Sequence, residues 1–229
     1  MRYKMYNEFR EFKTIKEAKT FGEKYYGDWL KEFQKGKKYR GIYDASDLDY
    51  LCFDAEEDYL KQIKLECEVY KVFSYYCGNY GKIINEYCRI GNGSIESEPE
   101  TIEAMISLIK FEIEKFVIKE NIVAFRTLSY RDLLIVQRKT KLKKGMIIVD
   151  EGFMGVGLVR EELLKEQKYD TVIKVLIPKG CHGIYLDLIS NRENEQEILL
   201  NKGTKLKIIS NKKWIFSKTR EIVCKVVIE

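Results

Sequence analysis

The stretch PETIEAMISLIKFEIEKFVIKENIVAF, from Pro99 to Phe125, holds the change of pattern that decides the fold. Apolar residues first recur at Ile102, Met105, Ile106, Ile109, Ile113 and Phe116, the three-to-four spacing of a helix with one buried face. Pro99 follows the polar run GNGSIESE and suits a first helical turn, so a helix is expected from about residue 100 to 118. After Glu120 the period breaks, and Ile122 to Phe125 has the length and composition of a strand.

Upstream the chain reads as helical. Thr14 with Glu17 forms a capping box, and Ile15, Ala18, Gly22, Tyr25, Trp29 and Phe33 make a stripe that predicts a helix over about 15–34. Asp54 with Glu57 repeats the cap ahead of Tyr59, Leu60, Ile63, Cys67, Tyr70 and Phe73. Ile83, Ile84, Tyr87 and Cys88 suggest a shorter helix after Gly78-Asn79. Downstream come short apolar runs: Met146 to Val149, Thr171 to Leu176, Gly183 to Leu188, Ile198 to Leu200, Lys205 to Ile209 and Val223 to Val227. Asn201-Lys202-Gly203 has hairpin chemistry. Helices first and strands second predict an α+β fold in one domain over residues 1–229, with a helical layer at about 10–118 and a β-rich core at about 119–229.

Composition agrees with this. The chain has 229 residues, 45% hydrophobic and 34% charged, with 2 Pro and 15 Gly, which excludes disordered and collagen-like classes. Its apolar runs fall short of the roughly 20 residues of a membrane span. The charged start MRYKMYNEFREFK has no apolar core of a secretory signal, so a cytoplasmic protein, or one delivered without that signal, is expected. Cys52, Cys67, Cys77, Cys88, Cys181 and Cys224 lack close pairing and read as reduced thiols, with no metal site. The charge of +5 comes from 41 basic and 36 acidic residues, a near balance that does not point to nucleic acid. The basic clusters Lys35, Lys37, Lys38, Arg40 and Arg138, Lys139, Lys141, Lys143, Lys144 each lie beside a glycine and read as solvated turns.

A single histidine, His182, leaves little room for His-dependent catalysis and reads as a polar loop residue. The run from Met146 to Gly157, followed by LVREELLK, looks like a strand, a glycine-rich loop and a helix. Its order, GxxGxG, is not the GxGxxG of a dinucleotide cradle, and no βαβ unit surrounds it. Glu195 and Glu197 stand two apart beside an apolar strand, where extended backbone would project both to one face. Two such acids can divide labour: one stabilises cationic sugar character and the other orients or deprotonates a nucleophile.

This ExE, with GIYL from Gly183 before it and ILLNKGT from Ile198 after it, resembles the catalytic segment of the bacterial ADP-ribosyltransferase exoenzyme family. That family comprises the enzyme components of binary toxins and single-domain Rho-modifying exoenzymes. Further parts of the chain are similar to family segments in the family's order: the N-terminal helix residues Ala18, Gly22, Tyr25 and Trp29; the helix Asn85-Glu-Tyr-Cys-Arg89 preceded by Tyr76; Val123-Ala-Phe-Arg126, as the strand with the family's core arginine; and Glu151-Gly-Phe-Met-Gly155-Val-Gly157, where a further family strand falls.

The resemblance implies two packed, mainly antiparallel sheets with helices on the N-terminal side, and NAD as substrate without a metal. It implies that Glu197 is the catalytic acid at the nicotinamide ribose, that Arg126 holds the pyrophosphate, and that Tyr76, Tyr80, Asn85, Arg89 and Gly155-Val156-Gly157 line the NAD site. Glu195, where a glutamine marks asparagine-modifying members, implies arginine as acceptor on a target protein. Two departures stand out. Gly155-Val156-Gly157 replaces a Ser-Thr-Ser whose hydroxyls brace the site, and Gly81 stands where the family has an aromatic, with Tyr80 one place earlier. The reading is thus a mono-ADP-ribosyltransferase toxin or effector; a degenerate nucleotide- or protein-binding relative and an NAD glycohydrolase stay open beside it. A monomer is expected, and a separate translocation partner is one open route of delivery.

Overall fold

The computed structural model of the chain describes residues 8–42, 69–78, 80–91, 99–165, 169–187, 195–213 and 219–228. Helices lead: α1 (Ile15–Ile42), helical residues 69–76, α2 (Tyr80–Ile90) and α3 (Pro99–Glu114). Strands follow as β1 (Ile122–Leu128), β2 (Ile147–Asp150), β3 (Met154–Gly157), β4 (Thr171–Ile177), β5 (Gly183–Tyr185), β6 (Glu197–Leu200), β7 (Thr204–Lys213) and β8 (Arg220–Val226). Two short helices, α4 (Tyr130–Val136) and α5 (Arg160–Leu164), interrupt them. This is the expected α+β order.

The Thr14 hydroxyl accepts from the Glu17 N–H at 3.2 Å, and the Glu17 carboxylate accepts from the Lys13 N–H at 2.8 Å, so the box caps α1. The helix continues past its expected end near 34, and residues 35–40, expected in a turn, have helical backbone. Lysine and arginine are good helix formers, and Gly36 alone costs only about 1 kcal/mol. The stripe that opens at Asp54 lies outside the described residues apart from Tyr70 and Phe73, both in helical residues 69–76.

The strands join in the order β2-β7-β8-β4-β1-β3-β6-β5, antiparallel except for β4 with β8. The β1–β3 link is a single register pair, Phe125 with Gly157. The array is therefore a five-stranded wing, β2-β7-β8-β4-β1, and a three-stranded wing, β3-β6-β5, joined at one residue. All eight strands thus belong to one mostly antiparallel sheet, which narrows between these wings.

Met154–Gly157, where the local pattern reads as a glycine-rich loop and the resemblance implies a strand, is strand β3, because pairing with β6 overrides the poor strand propensity of its glycines. One local expectation fails. Asn201-Lys202-Gly203 does turn, with Gly203 at φ +76°, but it joins no hairpin: β6 pairs with β3 and β5, and β7 with β2 and β8.

The helices pack on the three-stranded wing. The Tyr26 hydroxyl donates to the Gly183 carbonyl at 3.1 Å, and its ring stacks on Tyr185 at 6.3 Å. Gly22 has to lack a side chain, since a Cβ there would sit 2.2 Å from the Tyr185 ring. Trp29, 2% exposed, meets Phe73 and Phe116 edge-on at 5.5 and 6.1 Å. A second core, on Val123, Phe125, Val172, Leu176 and Val223 of the larger wing, is covered by Phe9 and by Leu163 and Leu164 of α5. Cys181 and Cys224 are buried free thiols, pushed up to about 11 and about 12 by burial. Cys52 and Cys67 lie outside the described residues. Among the described residues no helix is long and apolar enough to cross a membrane.

Candidate active site

Gly157 pairs with Phe125 of β1 on one side and with Glu197 of β6 on the other, so the two wings part at this residue. A cleft of about 1300 Å³ opens at the seam. The larger wing contributes Arg126, next to Phe125; the smaller contributes Glu197; α2 closes the cleft with Asn85 and Arg89.

One wall is cationic. The Arg89 guanidinium donates to both oxygens of Asp150, from Nε to Oδ1 at 2.9 Å and from Nη2 to Oδ2 at 3.1 Å. Arg126 Nη1 donates to the same Oδ2 at 2.9 Å. Two guanidinium groups thus share one carboxylate, and the trio keeps a net positive charge in a partly buried wall. Asp150 is itself fixed: the Gly152 N–H donates to its Oδ1 at 3.1 Å, and Gln137 bonds both the N–H and the carbonyl of Val149 beside it. Asn85 ties this wall to the next strand, accepting from the Phe153 N–H at 2.7 Å and donating to the Tyr76 hydroxyl at 3.0 Å. The Tyr76 ring meets Phe153 edge-on at 5.9 Å. Burial, and secondarily the charge of Glu197, push the Tyr76 phenol well above its ordinary range, so it remains a hydroxyl donor at neutral pH.

The other wall is acidic and does not follow simple strand alternation. Glu197 opens β6, but Glu195 precedes the strand, and Gln196 between them is left-handed at φ +48°. Both acids line the cleft while Gln196 is fully buried. Its N–H and Nε2 donate to Asp187 Oδ1 and Oδ2 at 2.9 and 2.8 Å, and its Oε1 accepts from the Tyr185 hydroxyl. The Gln196 carbonyl accepts from Leu158 at 3.0 Å and the Glu197 carbonyl from Leu186 at 2.8 Å, pinning the segment to the chain just beyond β3 and β5.

Gly155 is the diagonal cross-strand neighbour of Glu197, its own register partner being Leu199. A Cβ on Gly155 would lie 1.8 Å from Glu197 Oε1. The carboxylate therefore occupies the volume that a side chain at 155 would need. The glycine does more than omit a hydroxyl; it admits the acid against the strand.

The structure brings Tyr76, Asn85, Arg89, Arg126, Gly155, Val156, Gly157, Glu195 and Glu197 to one cleft. Tyr80 is not among the lining residues; it is 39% exposed and packs against Tyr75 at 5.5 Å. Gly81 lines the cleft, and a Cβ there would lie 2.3 Å from the Tyr76 carbonyl, so the position excludes the aromatic of the resemblance. His182 is exposed at Phe116, outside the lining, as a loop polar residue would be. Sequence reading missed Asp150, Asp187 and Gln196. The acid of Asp150, at a strand end before a glycine, was the one visible signal; the others needed the tertiary contacts. Among the described residues no group of His, Cys, Asp and Glu could hold a metal ion.

Solved structures share the fold. Plx2a, an ADP-ribosyltransferase toxin from Paenibacillus larvae, is 20% identical, with TM-score 0.63, 95% of this chain and 99% of that one covered. C3stau2 from S. aureus, solved with NAD, is 18% identical, with TM-score 0.64 and coverage of 97% and 100%. BECa of a C. perfringens binary enterotoxin, solved with NADH, is 17% identical, with TM-score 0.68; 96% of this chain matches 50% of that one. Comparison by sequence with curated proteins gives no match. The ADP-ribosyltransferase exoenzyme family model matches residues 18–228, and the chain belongs to that family of ADP-ribosylating toxins.

Proposed function

We propose that the chain is a mono-ADP-ribosyltransferase that moves ADP-ribose from NAD to an arginine of a target protein and releases nicotinamide. The observation that carries this reading is the facing of two charges across one cleft: Arg89 and Arg126 on one wall, Glu195 and Glu197 on the other. Planar guanidinium groups fit a pyrophosphate, and an acid wall fits a sugar that turns cationic. The bond from ribose C1′ to the nicotinamide nitrogen breaks, and its electron pair leaves with nicotinamide. Glu197 stabilises the positive ribose centre. An arginine nitrogen supplies the pair for the new bond, and Glu195 orients that guanidinium and receives its proton, a role needed because an arginine with pKa above about 12 is otherwise no nucleophile. Tyr76 and Asn85 brace the wall beside Glu197.

Incubation of the protein with labelled NAD and cell lysate tests this, with Glu197→Gln as control. A labelled protein that vanishes in the variant and loses label in neutral hydroxylamine supports arginine transfer. Free nicotinamide without labelled protein would support glycohydrolysis instead. One observation favours a catalytically silent nucleotide-binding module: Gly155-Val156-Gly157 offers Glu197 no hydroxyl. NAD binding in the calorimeter with neither product would establish that alternative.

A further inference from the structure

Extended backbone would put a residue between two same-facing acids on the opposite face and leave it in ordinary β geometry. Gln196 instead takes a left-handed conformation that non-glycine residues avoid, at φ +48°, and buries its amide completely. Each of its polar groups is engaged: N–H and Nε2 with the two oxygens of Asp187, Oε1 with Tyr185, and the carbonyl with Leu158. A strained, fully satisfied buried amide fixes one arrangement and penalises its neighbours. Here it sits between the two carboxylates that line the cleft.

We propose that Gln196, clamped by Asp187 and Tyr185, is the positioning residue of the acid wall: the clamp holds the left-handed turn, and the turn sets Glu195 and Glu197 on the cleft together. Asp187 matches both donors of Gln196 with one carboxylate, so backbone and side chain are locked by the same group. Tyr185 extends the lock to the helical layer, because its ring lies on α1 at Gly22 and against Tyr26. The acids are then placed by contacts that never touch substrate. The inference rests on the transfer reaction proposed above.

The test is a set of purified variants, Gln196→Ala, Gln196→Gly, Asp187→Ala and the double variant Gln196→Ala with Asp187→Ala, assayed for NAD cleavage and acceptor labelling. Gln196→Gly keeps the backbone free to turn left-handed and guards against loss of folding. Misplaced acids should lower kcat about 10- to 100-fold. The dissociation constant for NAD should stay within about threefold, since the arginine wall is untouched, and the double variant should be no worse than either alanine variant. Folded variants with kcat within about threefold of wild type would overturn the proposal. If the wild type itself cleaves no NAD, the reaction has failed and not yet the clamp; a crystal structure of Gln196→Ala then decides. Displaced Glu195 and Glu197 uphold the clamp, and an unchanged segment 195–197 sinks it.

Discussion

Adding one carbon to Gly155 is the sharpest perturbation the cleft offers. The new Cβ of Gly155→Ala would stand 1.8 Å from Glu197 Oε1 and 3.0 Å from its Cδ. To reach ordinary contact at 3.4 Å or more, the oxygen has to retreat by about 1.6 Å. The carboxylate ends a flexible side chain, so the fold tolerates this: a rotamer shift costs about 0.5–1.5 kcal/mol, while replacing glycine in extended backbone returns about 0.4–1 kcal/mol through the unfolded state. Stability should therefore move by less than about 1 kcal/mol. Catalysis is less forgiving, because misplacement by about 1 Å can cost 10²-fold. Gly155→Ala should lose about two decades of NAD cleavage with Tm nearly unchanged, read by nicotinamide release and thermal melts. Gly155→Ser carries the same Cβ, so introducing a hydroxyl there alone should also lower activity. Full activity in either variant, or a gain on introducing serine, would refute the reasoning.

Asp150→Asn removes the charge shared by Arg89 and Arg126; the guanidinium groups should separate, and NAD binding should weaken about tenfold in the calorimeter, about 1.4 kcal/mol. Trp29→Ala empties the contact among α1, helical residues 69–76 and Phe116, and denaturant melts should show a loss of about 3–5 kcal/mol. Glu11 feels burial, which raises its pKa, but Lys13 and Lys174 outweigh it and hold the carboxyl below the ordinary glutamate range. A depressed folded pKa stabilises above the unfolded value and is lost as pH falls through the folded one. Glu11→Gln should therefore cost stability at neutral pH and flatten the fall of Tm below about pH 4.5.

How far the fold could be read in advance depended on whether its cause was local. α3 announced itself through Pro99 and a regular apolar stripe, and α1 through the Thr14–Glu17 box. The strands with branched apolar residues were equally plain. β3 came only through the resemblance, because Met154-Gly155-Val156-Gly157 has no local reason to be extended; its partner β6 lies some 40 residues on and makes it so. α4, YRDLLIV, was missed because seven residues hold less than two full apolar turns; its cap is Ser129, accepting from the Asp132 N–H at 3.3 Å. The site followed the same division. Glu195, Glu197 and Arg126 were visible as residue types in order, whereas the kink at Gln196 and the bridge at Asp150 exist only once distant segments meet.

Gly157 alone carries the strand pairing between the wings; Arg126 and Asp150 stand on one wing, Glu197 on the other, and Arg89 reaches Asp150 from α2. One continuous hydrophobic core nonetheless runs across both wings, from Ala124, Val175 and Cys224 to Ile184, Ile198 and Leu199. The backbone joint is narrow where the side-chain packing is broad, so the distance between opposite charges is kept by the shared core. Thinning that core should therefore weaken NAD cleavage and lower Tm together.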